Sequence, residues 1–322
     1  MQRNSQRYSG CVLDRASRLR KDPVWLAQRF AEPDTRILPV WRNRNLIVPA
    51  ASGSAVPVLM SVARCQSQPL LAVADESVFL GIESGRAVFA VDISSLSQVE
   101  SGELAGSANF LDLRRVGGAM AADQAALAAY ARGALRWHRY SRFCGHCGAL
   151  SESRHGGHLR VCSNSDCARE IYPRTDPAVI MLVEEYPKSG ASPRCLLAHH
   201  HRSPPGAYST LAGFVEPGES LEEAVAREVL EEVGIHLRSV HYQDSQPWPF
   251  PGSIMLGFRA VAETSEITID RSEIGDARWF TLAQVLEFGE WGDPAAERRI
   301  SPKDSIARYL IDSWLTEVSG QR

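Results

Sequence analysis

Four of the seven cysteines stand close together, as Cys144-Gly145-His146-Cys147 and, after fourteen intervening residues, Cys162 and Cys167. The segment that carries them, residues 141–172, has no apolar run able to form a core, so it needs a staple to fold. Four thiolates in two close pairs can converge tetrahedrally on Zn²⁺, which would supply that folding energy. Two reduced pairs, or a redox-active CxxC, are the competing readings. The redox motif normally accompanies a βαβ pattern that is absent here. A zinc ion held by four cysteines keeps no open coordination position, so its role would be structural. The second pair is spaced more widely than the first, with four residues between its members. Cys11, Cys65 and Cys195 are isolated and receive no role.

A chain of 322 residues allows two globular units with something small between them. Its 44% hydrophobic and 23% charged composition is ordinary for a globular protein. With 35 basic and 38 acidic residues, no global field favours nucleic acid or a membrane surface. The start, Met1 to Arg7, is polar, and no apolar run of about 7–15 residues follows it as a secretory signal requires. No stretch is long enough to span a bilayer. These features predict a cytoplasmic protein without a membrane partner, whose clustered cysteines serve metal binding or chemistry.

Residues 1–118 alternate apolar runs such as Val56-Pro57-Val58-Leu59-Met60 with Gly, Ser and Pro, which predicts a mixed, strand-rich α+β domain. Residues 119–140 are Ala-rich and predict a connecting helix. The cysteine module follows at 141–172. Residues 173–322 open on the buried-strand pattern Ala178-Val179-Ile180-Met181-Leu182-Val183 and then mix strand and helix signals, as in an α/β domain. No internal repeat is evident.

Ser220-Leu221-Glu222-Glu223 fits a capping box, and Gly234 suits a helix stop, so a helix runs from about Leu221 to Val233. On it Glu228 and Glu232 share the side of Leu221 and Val225, with Glu231 on the flank. An ordinary surface helix sets its charges opposite its apolar stripe; here three carboxylates extend the stripe. Close carboxylates repel unless a cation joins them, and hard oxygen ligands suit Mg²⁺ or Mn²⁺. Taken alone, the segment also reads as a solvated helix face.

The wider pattern decides between these readings. Gly213, five residues, Glu219, seven residues and then Arg227-Glu228-Val229-Leu230-Glu231-Glu232-Val233-Gly234-Ile235 match the Nudix box, Gx5Ex7REUxEExGU with U aliphatic. The resemblance implies a Nudix α/β/α sandwich in which Glu228 and Glu232 are principal metal ligands and Glu231 assists. It further implies that Arg227 orients a glutamate and that Gly213 lets the backbone turn close to the phosphates. Metal ions would neutralise a pyrophosphate and lower the pKa of an attacking water, and we assign the proton-accepting role to Glu232.

Beyond the box, Ser245-Gln246-Pro247-Trp248-Pro249-Phe250-Pro251-Gly252-Ser253 resembles the SQPWPFPxS array of the NADH pyrophosphatase family. Three prolines around two aromatics predict a rigid apolar platform with polar Gln and Ser edges, suited to a base and its ribose. The FCGxCG knuckle and the Tyr172-Pro173 pair agree with that family. The resemblance implies a further metal-ligating glutamate at Glu273 and metal contact by the Ala212 carbonyl. It implies that the Phe214 ring lies against the nicotinamide, and that Ala307 borders the nucleotide pocket. It also implies a homodimer in which Tyr172 reaches the neighbouring subunit's site.

The expected activity is hydrolysis of NAD(H) to AMP and nicotinamide mononucleotide, with removal of NAD caps from RNA by the same cut. An ADP-ribose or dinucleoside polyphosphate hydrolase is the alternative enzyme. A silent Nudix-like sensor would be expected to lose box glutamates, all of which this chain keeps. A zinc-ribbon nucleic-acid binder would call for a dense basic run that the cysteine module lacks.

Overall fold

The computed structural model of the chain describes residues 6–48, 56–187 and 190–320; Met1 to Ser5, at the polar start, lie outside these. The chain divides into two compact units. Unit 1 comprises Met1–Thr175 with Trp248–Gly252, and unit 2 comprises Asp176–Pro247 with Ser253–Arg322.

Unit 1 begins with α1 (Pro23–Ala31), whose first turn is capped by the Asp22 carboxylate and opened by Pro23. There follow β1 (Arg36–Trp41), β2 (Arg44–Val48), β3 (Val58–Leu59), β4 (Val62–Ala63), the short α2 (Gln68–Ala72), β5 (Glu76–Glu83), β6 (Arg86–Asp92), α3 (Gln98–Ala105), β7 (Asn109–Leu111), α4 (Leu113–Val116) and α5 (Ala122–Tyr140). The Ala-rich helix thus starts at Ala122 rather than Ala119, because Gly117–Ala119 close a tighter 3-10 turn. The seven strands form one sheet, and its two faces are covered differently. Leu38, Val40, Val78, Leu80, Val88 and Ala90 pack with the alanine face of α5. Ile37, Trp41, Phe79, Phe89 and Val91 pack towards Trp25, Leu26 and Phe30 of α1. Alternation along each strand is what sends neighbours to opposite layers. The cysteine module adds a three-stranded antiparallel sheet, β8 (Ser151–Arg154), β9 (Leu159–Cys162) and β10 (Glu170–Ile171).

Unit 2 contains β11 (Asp176–Glu185), β12 (Arg194–His200), β13 (Leu211–Phe214), α6 (Leu221–Val233), β14 (Leu237–Trp248), β15 (Ser253–Ala262), β16 (Ile274–Thr281), α7 (Leu282–Leu286) and α8 (Ile306–Gly320). Its strand order is β14-β15-β11-β12-β16, with β13 against β11. The predicted buried strand is the central β11. Val179, Met181 and Val183 face Ala224, Val225, Val229 and Val233 of α6, whereas Ile180 and Leu182 face Leu310, Ile311 and the fully buried Trp314 of α8. This is the expected α/β/α sandwich. Each of these large apolar side chains contributes about 1.5–3 kcal/mol on burial.

The two sheets share one topology. In unit 1 the order is β5-β6-β1-β2, with β7 on β2 and β4 on β1; in unit 2 it is β14-β15-β11-β12-β16, with β13 on β11. The parallel pair in each joins the first strand to the second strand after the intervening helix, β1 with β6 after α2 and β11 with β15 after α6. In both, a short strand pairs antiparallel to the first, β4 to β1 and β13 to β11. A single long helix, α5 or α8, ends each series. Two elements differ: β3, paired to β2, has no counterpart in unit 2, and α2 has five residues where unit 2 has the thirteen of α6. The chain therefore contains a repeat that its sequence does not display.

Candidate active site and metal centre

The helix α6 forms with both expected caps. Ser220 and Glu223 exchange the two capping-box hydrogen bonds, and Gly234 stops the helix in the left-handed conformation at φ 71°. Its register sends Glu232 inward, where it is 4% exposed, while Glu231 is exposed and Glu228 lies half-buried between them.

Arg227 ties this set together with five hydrogen bonds. Its Nε and Nη2 donate to the two carboxylate oxygens of Glu219, at 2.6 and 3.0 Å. Its Nη1 donates to Glu228 at 2.8 Å and Glu231 at 3.0 Å, and Nη2 also donates to the Phe214 carbonyl at 2.9 Å. The planar five-donor fork is what lets one side chain do this. Beside Arg227, and with the Glu216 N–H donating to it, the Glu219 carboxyl is held down to about 2.

The Gly213 backbone lies in β13 opposite Val179. A Cβ there would come within 1.8 Å of Glu228 Cδ. The absent side chain thus makes room for the Glu228 carboxylate.

Glu273 reaches the helix through the loop before β16. The Asp270 N–H donates to the Glu232 carbonyl at 3.0 Å, and the Glu273 N–H donates to the Asp270 carbonyl at 3.3 Å. Burial, with the charges of Glu228, Glu273 and Glu231 added, pushes the Glu232 carboxyl up to about 8, and burial likewise raises Glu228. Glu232 Oε2 has no hydrogen-bond partner. A buried, unpartnered carboxylate oxygen subject to the charges of Glu228, Glu273 and Glu231 fits a hard divalent cation, which would supply the missing partner and neutralise that charge. The Ala212 backbone sits alongside, paired with Ile180.

The four cysteines converge. Their sulfurs all lie within 4.8 Å of one another, and among the described residues they are the one group of three or more potential metal ligands that close. Sγ of Cys144 is 3.8 Å from that of Cys167, and Sγ of Cys147 is 3.4 Å from that of Cys162. Backbone N–H groups of Cys147 and His146 pull the Cys144 thiol down to about 6, whereas burial pushes the Cys162 thiol up to about 12. The wide second pair closes through an Asx turn, in which Asn164 Oδ1 accepts the Asp166 N–H at 3.0 Å.

The aromatic array departs from expectation. β14 continues through Gln246 and Pro247 to Trp248, so this part is strand rather than loop. Phe250, 6% exposed, is buried in unit 1. Tyr8 and Trp248 meet it edge-on at 5.5 and 5.0 Å. The Arg114 and Arg132 guanidinium groups lie over its ring at 4.9 and 4.7 Å. Its faces are taken within unit 1; Pro249 is buried as well, whereas Trp248 and Gly252 are half-buried and Pro251 is exposed. Gln246 is fully buried, donating to the Asp304 carbonyl at 2.7 Å and accepting the Ile306 N–H at 2.8 Å. It fixes the start of α8, and with it the buried Ala307, instead of offering a polar edge. Ser253 is buried at the first position of β15, opposite Asp176. Phe214 and Tyr172, by contrast, are each 60% exposed, the Tyr172 hydroxyl donating to Glu170.

Comparison with known proteins accords with this geometry. Residues 175–302 match the NUDIX domain, and residues 34–137 match the NADH pyrophosphatase-like rudimentary NUDIX domain. The NAD-capped RNA hydrolase NudC of Mycobacterium bovis is 39% identical over 312 residues, which cover 94% of this chain and 92% of that protein. The chain belongs to the Nudix hydrolases, in the NADH pyrophosphatase family. The NAD-capped RNA hydrolase NUDT12 of Macaca fascicularis is 44% identical over 198 residues, 60% of this chain but only 42% of that protein, so the chain spans less than half of that relative. Nudix hydrolase 19, chloroplastic, of Arabidopsis thaliana is 38% identical over 292 residues, 82% of this chain and 64% of that protein.

As a Nudix hydrolase the chain carries its box on α6 of unit 2, and unit 1 is the rudimentary copy. The shared strand order explains that description, and the five-residue α2 stands where the box helix would be. Two features escaped the sequence reading. The box pattern gives Glu219 no role of its own, although its spacing before Arg227 places the two in contact across the helix start. The repeat gave no residue-level signal at all. No helix among the described residues is long and apolar enough to cross a membrane.

Proposed function

We propose that this chain hydrolyses the pyrophosphate bond of NAD(H) to AMP and nicotinamide mononucleotide, and cuts the same bond where NAD caps the 5′ end of RNA. The observation that carries the hydrolytic reading is Glu232, a buried carboxylate with an unpartnered oxygen among Glu228, Glu231 and Glu273. The SQPWPFPGS array and the relatives named as NAD-capped RNA hydrolases support NAD(H) as substrate.

Mg²⁺ or Mn²⁺, held by Glu228, Glu231, Glu232, Glu273 and the Ala212 carbonyl, would neutralise the pyrophosphate and lower the pKa of the attacking water. Glu232 is assigned as the acceptor of that water's proton. Arg227 holds Glu228 and Glu231 in place while Glu219 holds Arg227. The exposed Phe214 ring offers a face for the nicotinamide. Gln246 sets the α8 start that carries Ala307 at the nucleotide. Zn²⁺ on Cys144, Cys147, Cys162 and Cys167 is structural. The enzyme acts as a homodimer in which Tyr172 of one subunit covers the nicotinamide of the other, a role its exposed ring can fill. Clustered thiols suit a reducing compartment, and on that ground we place the activity in the cytoplasm.

The test offers NADH, NAD⁺, ADP-ribose and NAD-capped RNA to purified protein in ¹⁸O-water, with mass spectrometry of the products. AMP and nicotinamide mononucleotide, one of them carrying ¹⁸O, are expected. Faster cleavage of ADP-ribose than of any NAD compound would overturn the substrate, and no hydrolysis of any of them would overturn the reaction.

A further inference from the structure

Unit 1 contains an open cavity of about 770 Å³, bordered by the start of β5, the end of β6, the end of α5 and the cysteine module. All its lining residues belong to unit 1, and none is a Nudix-box residue. Its volume is that of a small-molecule site.

The floor is closed by ion pairs. Buried Arg160 donates to Glu76 at 2.9 Å, to Ser151 Oγ at 2.8 Å and to the Ser151 carbonyl at 2.6 Å. Arg139 donates to both carboxylate oxygens of Asp92 at 2.7 Å. At the rim, Glu152 pairs with Arg154, and Asp75 accepts the Ser95 N–H at 3.0 Å. The acids that line the cavity are therefore engaged.

Arg142 is the exception. It is exposed at the rim, and its guanidinium has no partner among the described residues. Next to it Phe143 and Leu150 form an antiparallel pair, flanked by the Cys144 N–H to Ala149 carbonyl bond at 2.8 Å and the Ser151 N–H to Arg142 carbonyl bond at 2.8 Å. That is the closer, non-hydrogen-bonded type of pair, so the two side chains stand together on one face. Leu150 lines the cavity, and the pair is 53% and 62% exposed at Leu150 and Phe143.

We propose that this cavity is a second nucleotide site, which binds one nucleoside phosphate apart from the catalytic centre. Arg142 takes the phosphate through charge-assisted hydrogen bonds. The Phe143–Leu150 pair takes the face of the base, as aromatic platforms do for single strands. The Ser95 and Ser163 hydroxyls at the cavity wall take the ribose or the base edge, while Ser94 Oγ is occupied by the Arg42 N–H and Arg139. A bare anion would leave the apolar pair and most of the volume unused. One unpaired cation suits one phosphate rather than a polyanion. A free nucleotide and one unit of an RNA strand share this chemistry.

Full-length protein, its Arg142→Glu variant and its Phe143→Ala variant would be probed with 8-azido-AMP and with an uncapped oligoribonucleotide bearing 4-thiouridine. Labelled peptides are mapped by mass spectrometry, and zinc content and NADH turnover are followed on the same preparations. We expect label on the peptide containing Phe143 and at least about tenfold weaker oligonucleotide or AMP binding in Arg142→Glu, with zinc and NADH turnover unchanged. Label from the oligonucleotide identifies a strand as the source, and label from 8-azido-AMP alone identifies a free nucleotide; either supports the site. Absence of label in unit 1 from both probes, or affinities unmoved by both substitutions, would overturn it. So would conversion of an oligomer to a monomer by Phe143→Ala in light scattering, since the face would then be a subunit contact. NADH turnover is read independently, so loss of the catalytic reading would not be mistaken for loss of this one.

Discussion

The Glu228 carboxylate occupies the space that a side chain on Gly213 would fill, with Glu228 Oε1 and Oε2 at 2.0 and 2.2 Å from where that Cβ would be. At such distances the Glu228 carboxylate, the far end of a flexible side chain, must move. Gly213→Ala is therefore expected to displace Glu228, keep the fold, and lower kcat on the order of 10²-fold, the scale of an ångström-sized misplacement. Circular dichroism with steady-state kinetics checks it. Unchanged kcat would show that Glu228 need not sit there.

Glu232→Gln is expected to fold and to lose at least about two decades of rate, because it removes both a cation ligand and the proton acceptor. Near-wild-type turnover would exclude the assigned roles.

The same residue predicts a pH dependence of stability. The Glu232 carboxyl sits at about 8 in the folded protein against an ordinary 4.5. Between these values the cation-free folded state keeps a proton that the unfolded state has lost. Wild-type stability relative to Glu232→Gln should thus be greatest below about pH 4.5, fall as pH rises towards 8, and level off above it. Mg²⁺ must displace that proton, so its stabilising effect on the wild type should grow from pH 5 to 8. Melting temperatures of both proteins at several pH values, with and without Mg²⁺, decide this. Parallel pH profiles for the two would count against it.

Cys144→Ser is expected to release about one zinc ion per chain and to lower the melting temperature without entering the chemistry. Elemental analysis of protein never exposed to chelator is the control. Zinc-free wild type would remove the structural metal.

Mixed subunits test the action of Tyr172 across a dimer. Tyr172→Ala and Glu232→Gln parents, each shown to be impaired, are co-expressed to form heterodimers. If the ring acts in the partner's site, one site carries both lesions and the other carries neither, so activity returns. No recovery in confirmed heterodimers, or a monomer by light scattering at working concentration, contradicts the shared site.

What the sequence determined by itself is what depends on neighbours along the chain. The capping box of Ser220 and Glu223, the stop at Gly234 and the register that turns Glu232 inward all follow from spacings within one helix. The two cysteine pairs are close in the chain, and their convergence within 4.8 Å needed only a short antiparallel sheet. Tertiary structure decided the rest. Phe250 has the composition of an exposed platform, yet Arg114, far away in the chain, and Tyr8 enclose it, and no local pattern encodes such partners. Glu273 joins the acidic group only because the loop before β16 hydrogen-bonds to the end of α6. The raised proton affinity of Glu232 is a consequence of burial, which exists only once the sheet and helix have packed. The repeat of unit 1 in unit 2 is a matter of strand order, and many sequences satisfy one order because sheet pairing runs through backbone groups that every residue carries.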